Sequence, residues 1–559
     1  MDINSANLAI LTGDIEKYRR RKIMDDLDDN IVYIDPLGYK SKIKVANNNI
    51  IVGRRGSGKT TIMLAAYKDR IDCTIIKFDC QHIRNYDENK IIIKLVSKVL
   101  SEVSNGAQIR KNELSSKVKE IKKGFWEKPK AELHLKEEQE EQEELKEVDN
   151  ICELIADMYN LLVVDVYDLP EEITYKRATI QIDKHTKSKE SKSSIRKQSG
   201  LGGSLGVNAS YHNIGLKINA MNNILKESVQ SQNDKGEQNT KSELSYEEVI
   251  KKSKSQILDE LIEPIAELLS MYRKIVKNEV SLYLDDFYQI NMDKHVRIIQ
   301  YLHNIYKQSK NSAFCFKLCT LPNRIKINKE NDIILSIKDD FSEILLDKDL
   351  INIEGLKKYL IQILCALRKD LEIQPQDIEN LFSNEESILY LVIASGGTPR
   401  DFLLMFRDMV DIVKAENSNR RIGKADIYSV VRAMREDKDE NIEYDVNITP
   451  EMIQDALIKI NNDIIVGKNT NVFLFPNSKK DEYELLLRNL VNARYLHLIK
   501  EKVSSENRKK EYFSAYLIDM SFYISGKQIK RGFKFRPFWE KDNESRYNEI
   551  ASAPIFSFD

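Results

Sequence analysis

Apolar positions along this chain fall into runs with two different periods, and the order of those runs predicts an α/β fold. Asn49 to Val52 (N-I-I-V) is a short apolar run, the pattern of a strand covered on both faces. Thr61-Ile62-Met63-Leu64-Ala65-Ala66 reads as a helix, and Cys73 to Phe78 as a second strand ending at Asp79. Strand, loop, helix and strand in that order mark a parallel sheet. Further along, Leu258, Leu261, Ile262, Ile265, Leu268, Leu269 and Tyr272 recur at helical spacing despite Pro264. Strand Val280 to Leu284, an amphipathic helix with Val296, Ile299, Leu302 and Ile305, and strand Phe314 to Leu318 continue the alternation.

Between and beyond these runs the pattern changes. Residues 104–245 read as an insertion. Within it, the acidic tract Leu135 to Val148 predicts an exposed helix, Asp183 to Ser204 a mobile loop, Leu205 to Ala220 a hairpin and Asn233 to Ser242 a polar linker. Residues 351–437 read as all-helical. Gly396-Gly397 ends one helix, and Thr398-Pro399-Arg400-Asp401 starts the next with a cap, a first-turn proline and an acid that complements the dipole. Helices Pro450 to Ile460 and Asp481 to Asn489 precede strands Tyr495 to Ile499 and Tyr512 to Ile518, joined by the polar turn Ser504 to Lys510. Helices followed by a β-hairpin predict a winged-helix-like module.

The predicted organisation is therefore a leader (1–40), a P-loop core (41–350), a helical lid (351–440) and a winged-helix-like unit (441–559). The leader carries the basic cluster Arg19-Arg20-Arg21-Lys22, whose plain reading is a solvated helix face. A net charge of -1 over 559 residues makes any nucleic-acid surface a local patch. The six cysteines form no C-x-x-C pair, so a zinc site or disulfide framework is not expected and a reducing cytoplasm fits. Met1-Asp2-Ile3-Asn4-Ser5 shows no secretory signal, and no apolar run is long enough for a membrane span.

The strongest chemical signal is Gly53-Arg54-Arg55-Gly56-Ser57-Gly58-Lys59-Thr60, an ungapped G-x-x-x-x-G-K-[ST] loop between a strand and a helix. With Thr61 it forms the candidate nucleotide-binding segment. Backbone amides and a helix N-terminus converge there on one polyphosphate. Lys59 is placed to reach the β- and γ-phosphates, and Thr60 to hold Mg²⁺. Asp285, at the tip of an apolar strand, is the candidate second metal-orienting group. Asp286 is the candidate that polarises the attacking water, one methylene shorter than a glutamate there. Thr320 is a candidate γ-phosphate sensor, and Arg324 and Arg400 are candidate charge stabilisers. Arg508, Lys509 and Lys510, in the expected wing turn, are candidate DNA-phosphate contacts. Near the end, Lys527, Lys530, Arg531, Lys534 and Arg536 interleave with Phe533, Phe535, Phe538 and Trp539. That mixture suits nucleic acid, or a packed segment whose lysines point to solvent.

Together these pieces resemble the initiator clade of AAA+ ATPases, and within it a bacterial origin-recognition-like group. The resemblance is carried by Gly53–Thr60, Leu284-Asp285-Asp286-Phe287-Tyr288, Lys317-Leu318-Cys319-Thr320-Leu321-Pro322-Asn323-Arg324 and Gly396-Gly397-Thr398-Pro399-Arg400. They look like Walker A, Walker B, sensor 1 and sensor 2, with Cys319 where the group usually has glycine. The resemblance implies ATP and Mg²⁺ as cofactors, hydrolysis, a homo-oligomer, double-stranded DNA or a partner protein encoded nearby, and a place in phage defence or mobile-element biology. The related STAND switch ATPases leave a second reading open, in which ATP holds an oligomer or partner and no DNA is bound.

Overall fold

The computed structural model describes every residue except 1, 19–32, 36, 69, 71, 125–130, 179–213, 224, 226–246, 329–333, 417–418, 441, 443–445, 447, 506–507 and 541. Helix α1 (Ala6–Ile15) opens the chain. Strand β1 (Asn49–Val52) leads through the glycine loop into α2 (Lys59–Tyr67), and β2 (Cys73–Asp79) follows. Strands β5 (Glu279–Asp285), β6 (Phe314–Thr320) and β7 (Ser342–Leu345) join them after an excursion that holds β3 (Glu172–Ala178) and β4 (Glu247–Ser253). The sheet runs β2-β5-β6-β1-β7, and every pairing in it is parallel. Every residue of β1, β5 and β6 is buried, as a sheet covered on both faces requires. The apolar runs at 49–52, 280–284 and 314–318 therefore became the central strands, with the run at 73–78 on one edge, and the architecture is α/β with a parallel sheet compatible with a P-loop AAA+ core.

The excursion is a helical arm. Helix α3 (Glu88–Gly124) is 37 residues long and passes unbroken through residue 104, where the insertion was expected to begin. Helix α4 (Ala131–Asn160) lies against it in the opposite direction, as the ion pairs Arg110–Glu144, Lys111–Asp149 and Lys117–Glu141 show. The acidic tract lies on α4, and part of its charge faces basic residues of α3. Strands β3 and β4 pair antiparallel at the base, and the buried Lys254 ammonium ties it down by donating to the carbonyls of Tyr167 and Leu169. The hairpin expected over Leu205 to Ala220 is corrected in its described part: residues 214–223 are helical. Ile214, Ile218, Met221 and Leu225 are all buried, at spacings of four, three and four. Only Ile214 and Ile218 belong to both patterns; Leu216, which alternation would bury beside them, is exposed, and packing follows the helical stripe. The mobile loop, the polar linker and the basic cluster at 19–22 lie outside the described residues.

The carboxyl half continues from α5 (Ile262–Val276) and α6 (Met292–Gln308) into the lid, made of α7 (Ile353–Leu367), α8 (Glu385–Ala394), α9 (Pro399–Ala415) and α10 (Lys424–Glu440). Helices α11 (Pro450–Ile460) and α12 (Lys480–Asn492) then pack with β8 (Val472–Pro476), β9 (Leu496–Ser505) and β10 (Arg508–Ile518), an antiparallel sheet in the order β8-β10-β9. The hairpin strands run longer than expected, so Arg508, Lys509 and Lys510 belong to β10 at the tip of the hairpin. One continuous apolar core joins α1, the lid and this C-terminal unit, from Leu8 and Leu11 through Phe406 to Phe473 and Trp539. The basic–aromatic segment is used structurally. Trp539 packs edge-on against Tyr390, Phe533 stacks on Tyr523, and Lys527, Lys530, Arg531 and Lys534 stay exposed.

Helix α6 positions the turn that follows β5. Buried His295 donates from Nε2 to the Ile290 carbonyl (2.9 Å), and its Nδ1 accepts from the Lys326 amide (3.4 Å), so the ring is held neutral. Burial pulls its pKa down to about 4. A depressed histidine contributes stability that is present above the unfolded value and lost as pH falls towards the folded one. Between about pH 7 and about pH 4, urea unfolding of the wild type should lose on the order of 3 kcal/mol more than His295→Gln does. Parallel pH curves for the two proteins would refute this account of the ring.

Candidate functional site

The loop after β1 owes its path to two glycines in left-handed conformations, Gly56 (φ 78°) and Gly58 (φ 95°). A side chain at Gly56 would put its Cβ 2.7 Å from the Cβ of Arg400. The lid thus comes down directly onto the loop, and the Arg400 amide donates to the Gly56 carbonyl (3.3 Å). Pro399 occupies the first turn of α9 as expected, but Thr398 makes no side-chain cap. Its buried methyl instead faces Gly56, where close packing replaces the expected hydrogen bond.

Under this contact lies a cavity of about 360 Å³. Its floor is Arg55 to Thr61, its far wall Asp286 and Tyr288, and its roof Pro399, Arg400 and Leu403. Tyr33, Ile34, Tyr359, Ile363 and Leu367 close the remaining side. Burial raises the phenols of Tyr33 and Tyr359, the latter to about 12, so both stay neutral and can face a flat apolar group. None of these last residues carries a motif. The sequence offers only their helical spacing in 359–367 as a signal, and that spacing reads equally as core.

The expected polar residues divide into two groups. Lys59 is buried and donates from Nζ to the carbonyls of Gly53 (2.8 Å) and Arg54 (3.1 Å). Thr60 donates from Oγ1 to Asp285 Oδ2 (2.6 Å), which places a hydroxyl and a carboxylate side by side at the loop–strand junction. Asp285 Oδ1 accepts from the Asp286 amide (3.0 Å), and Asp286 adopts a left-handed φ of 48° that turns the chain at the cavity wall. Ser57, Gly58 and Thr61 also line the cavity. This hard-oxygen pair beside a cationic loop fits Mg²⁺ and a polyphosphate.

Gly53, Arg54, Asp285, Thr320 and Arg324 are absent from the cavity wall, and Asp285 reaches it only through its bond to Thr60. The Gly53 amide donates to the Thr320 carbonyl (3.2 Å), stitching β1 to β6. Thr320 turns its hydroxyl to the Arg324 carbonyl (3.0 Å) and closes the following turn. Burial lowers the Arg324 pKa, with Tyr288 and Arg55 close enough to be felt. Arg54 is a bolt: its amide binds Asp347 (2.9 Å), and its guanidinium donates to the Gly396 carbonyl (2.9 Å) and pairs with Asp347 (3.4 Å). The adjacent arginines of the motif therefore do different jobs. Among the described residues no helix is long and apolar enough to cross a membrane, and no group of three metal-ligating His, Cys, Asp or Glu side chains is found.

No family model matches this chain, and no curated protein matches it. Among solved structures, two variants of RuvB from Thermotoga maritima align at 11% and 12% identity. They cover 47% and 46% of this chain and 82% and 81% of their own, each with a TM-score of 0.22, too low to carry an argument.

The split between the two arginines is testable. Arg54→Ala should cost about 1–3 kcal/mol of stability in urea unfolding, because it removes the donor to the Gly396 carbonyl and leaves Asp347 only the residue-54 amide. Arg55→Ala, on the cavity side, should change stability by less than about 0.5 kcal/mol and weaken nucleotide binding instead. The reverse pattern would exchange the two roles.

Proposed function

We propose that this chain is a magnesium-dependent ATPase of the AAA+ type that works as a switch. One observation carries the reading: a single cavity is walled by the phosphate loop, by Asp286, by the half-buried Tyr33 and Tyr359 and by Arg400 of the lid. Loop amides and the N-terminus of α2 would hold the phosphates, and Lys59 would exchange the carbonyls of Gly53 and Arg54 for phosphate oxygens. Tyr33 and Tyr359 would take the base. Thr60 and Asp285 would hold Mg²⁺, which supplies charge against the leaving phosphate. Asp286 would orient the attacking water and accept its proton, and Arg400 would bring a guanidinium to the transferring group. We read the C-terminal unit as winged-helix-like and assign it to double-stranded DNA, because Arg508, Lys509 and Lys510 stand at a hairpin tip and four further cations of the same unit, Lys527, Lys530, Arg531 and Lys534, are exposed. Assembly as a homo-oligomer, with a neighbour supplying charge to the site, belongs to the same proposal.

Calorimetry should detect ATP with Mg²⁺ on the wild type and none on Lys59→Ala; equal affinity of the two would remove the site. Asp286→Ala should keep ATP affinity within about threefold while turnover falls at least a hundredfold. Unchanged turnover would leave Asp286 a structural role.

Duplex DNA should stimulate turnover several-fold. Replacing Arg508, Lys509 and Lys510 with alanine should flatten the salt slope of DNA binding by up to about 3. Turnover insensitive to DNA, with ATP-dependent oligomers, would favour a scaffold that holds a partner protein.

A further inference from the structure

We infer that Arg494, in the C-terminal unit, is a positioning residue for the nucleotide site. Its ion pair with Asp401 holds the first turn of α9, and with it Arg400, against the phosphate loop. The inference rests on the nucleotide reading above and names a residue outside the cavity that sets its affinity.

Arg494 Nη1 donates to both carboxylate oxygens of Asp401, at 2.9 and 3.0 Å. Asp401 is 4% exposed and directly follows Arg400, which roofs the cavity and binds the Gly56 carbonyl through its amide. A carboxylate on a helix's first turn is already favoured by the dipole, so α9 does not need Arg494 in order to form. What the pair adds is a link between two parts of the chain. Arg494 sits in the turn between α12 and β9 with a φ of 65°, a conformation that few alternatives can replace. The lid also grips that turn from the other side, where Lys438 Nζ donates to the Arg494 carbonyl (3.3 Å) and to Asp519 (2.5 Å). His497 packs over Gly396, so close that a Cβ there would lie 2.3 Å from its ring.

The lid and the C-terminal unit are thus joined by a shared core and by these polar ties. Toward the ATPase sheet, by contrast, the C-terminal unit faces a cleft of about 640 Å³ between Asp347 and Asp349 on one side and Arg488 and Lys500 on the other. A load on the C-terminal unit is therefore delivered to the first turn of α9. By reciprocity, whatever binds this unit shares free energy with the nucleotide.

The test compares binding of ADP and of the slowly hydrolysed analogue ATPγS, by calorimetry, to the full chain. Arg494→Ala should weaken ATPγS by roughly tenfold and ADP by less than about threefold, a difference within the usual range of coupling. Combined with Arg400→Ala it should weaken ATPγS no further than Arg400→Ala alone. Arg494→Lys should recover part of the loss. Equal affinities for wild type and Arg494→Ala, equal losses for both nucleotides, or additive losses in the double variant would each overturn the inference. If Arg494→Ala does not fold by circular dichroism, Asp401→Asn decides by the same measurements. A wild type that binds neither nucleotide overturns the nucleotide reading itself, and is seen before any variant is made.

Discussion

A backbone without a side chain at Gly56 is the constraint on which the rest of this molecule depends. Only there can the first turn of α9 approach the phosphate loop closely enough for the Arg400 amide to reach the Gly56 carbonyl. That contact turns an open strand–loop–helix motif into a roofed cavity. It also explains why Arg54 is buried. With the lid seated, the guanidinium reaches the Gly396 carbonyl and Asp347 together, and both partners of the seam are satisfied. The site is thus assembled from two layers, a sheet that supplies the loop and the acids, and a helical layer that supplies the roof.

The second layer is larger than a lid in the ordinary sense. Helix α1, helices α7 to α10 and the C-terminal unit bury their apolar faces in one core, which extends to Trp539 and Phe556. The buried Lys438–Asp519 pair is compensated by His497, which also lies against Asp519 (3.2 Å). Burial of such charges is tolerable only with this degree of pairing. The aromatic residues near the chain end serve the same core, which is why their mixture with lysines is a packing pattern with solvated cations along its edge.

How much of this was legible beforehand depended on range. Strands β1, β2, β5 and β6, the glycine loop and the Asp285–Asp286 tip are local patterns, and local patterns survive in sequence. The tyrosines of the cavity were not legible, because Tyr33 and Tyr359 are brought together only by the seating of the lid. The two arginines of the loop looked alike, and only the position of Gly396 and Asp347 separates them. Over Ile214 to Ile218 the signal was ambiguous, since Ile214 and Ile218 fit either period and only the burial of Met221 and Leu225, with Leu216 exposed, separates them. Thr320 ends its strand as expected, yet its hydroxyl is spent on the turn that follows.

Cys319 stands where the resembling group has glycine, one residue before that turn. Its sulfur lies 3.3 Å from the Met63 sulfur, beneath the helix that follows the glycine loop, and burial drives its thiol far above the ordinary range. A protonated, enclosed thiol reacts with alkylating reagents only when its surroundings part. The rate at which iodoacetamide modifies this one side chain is therefore a clock for the breathing of the central sheet, and it ticks beneath the glycine loop without any engineered label.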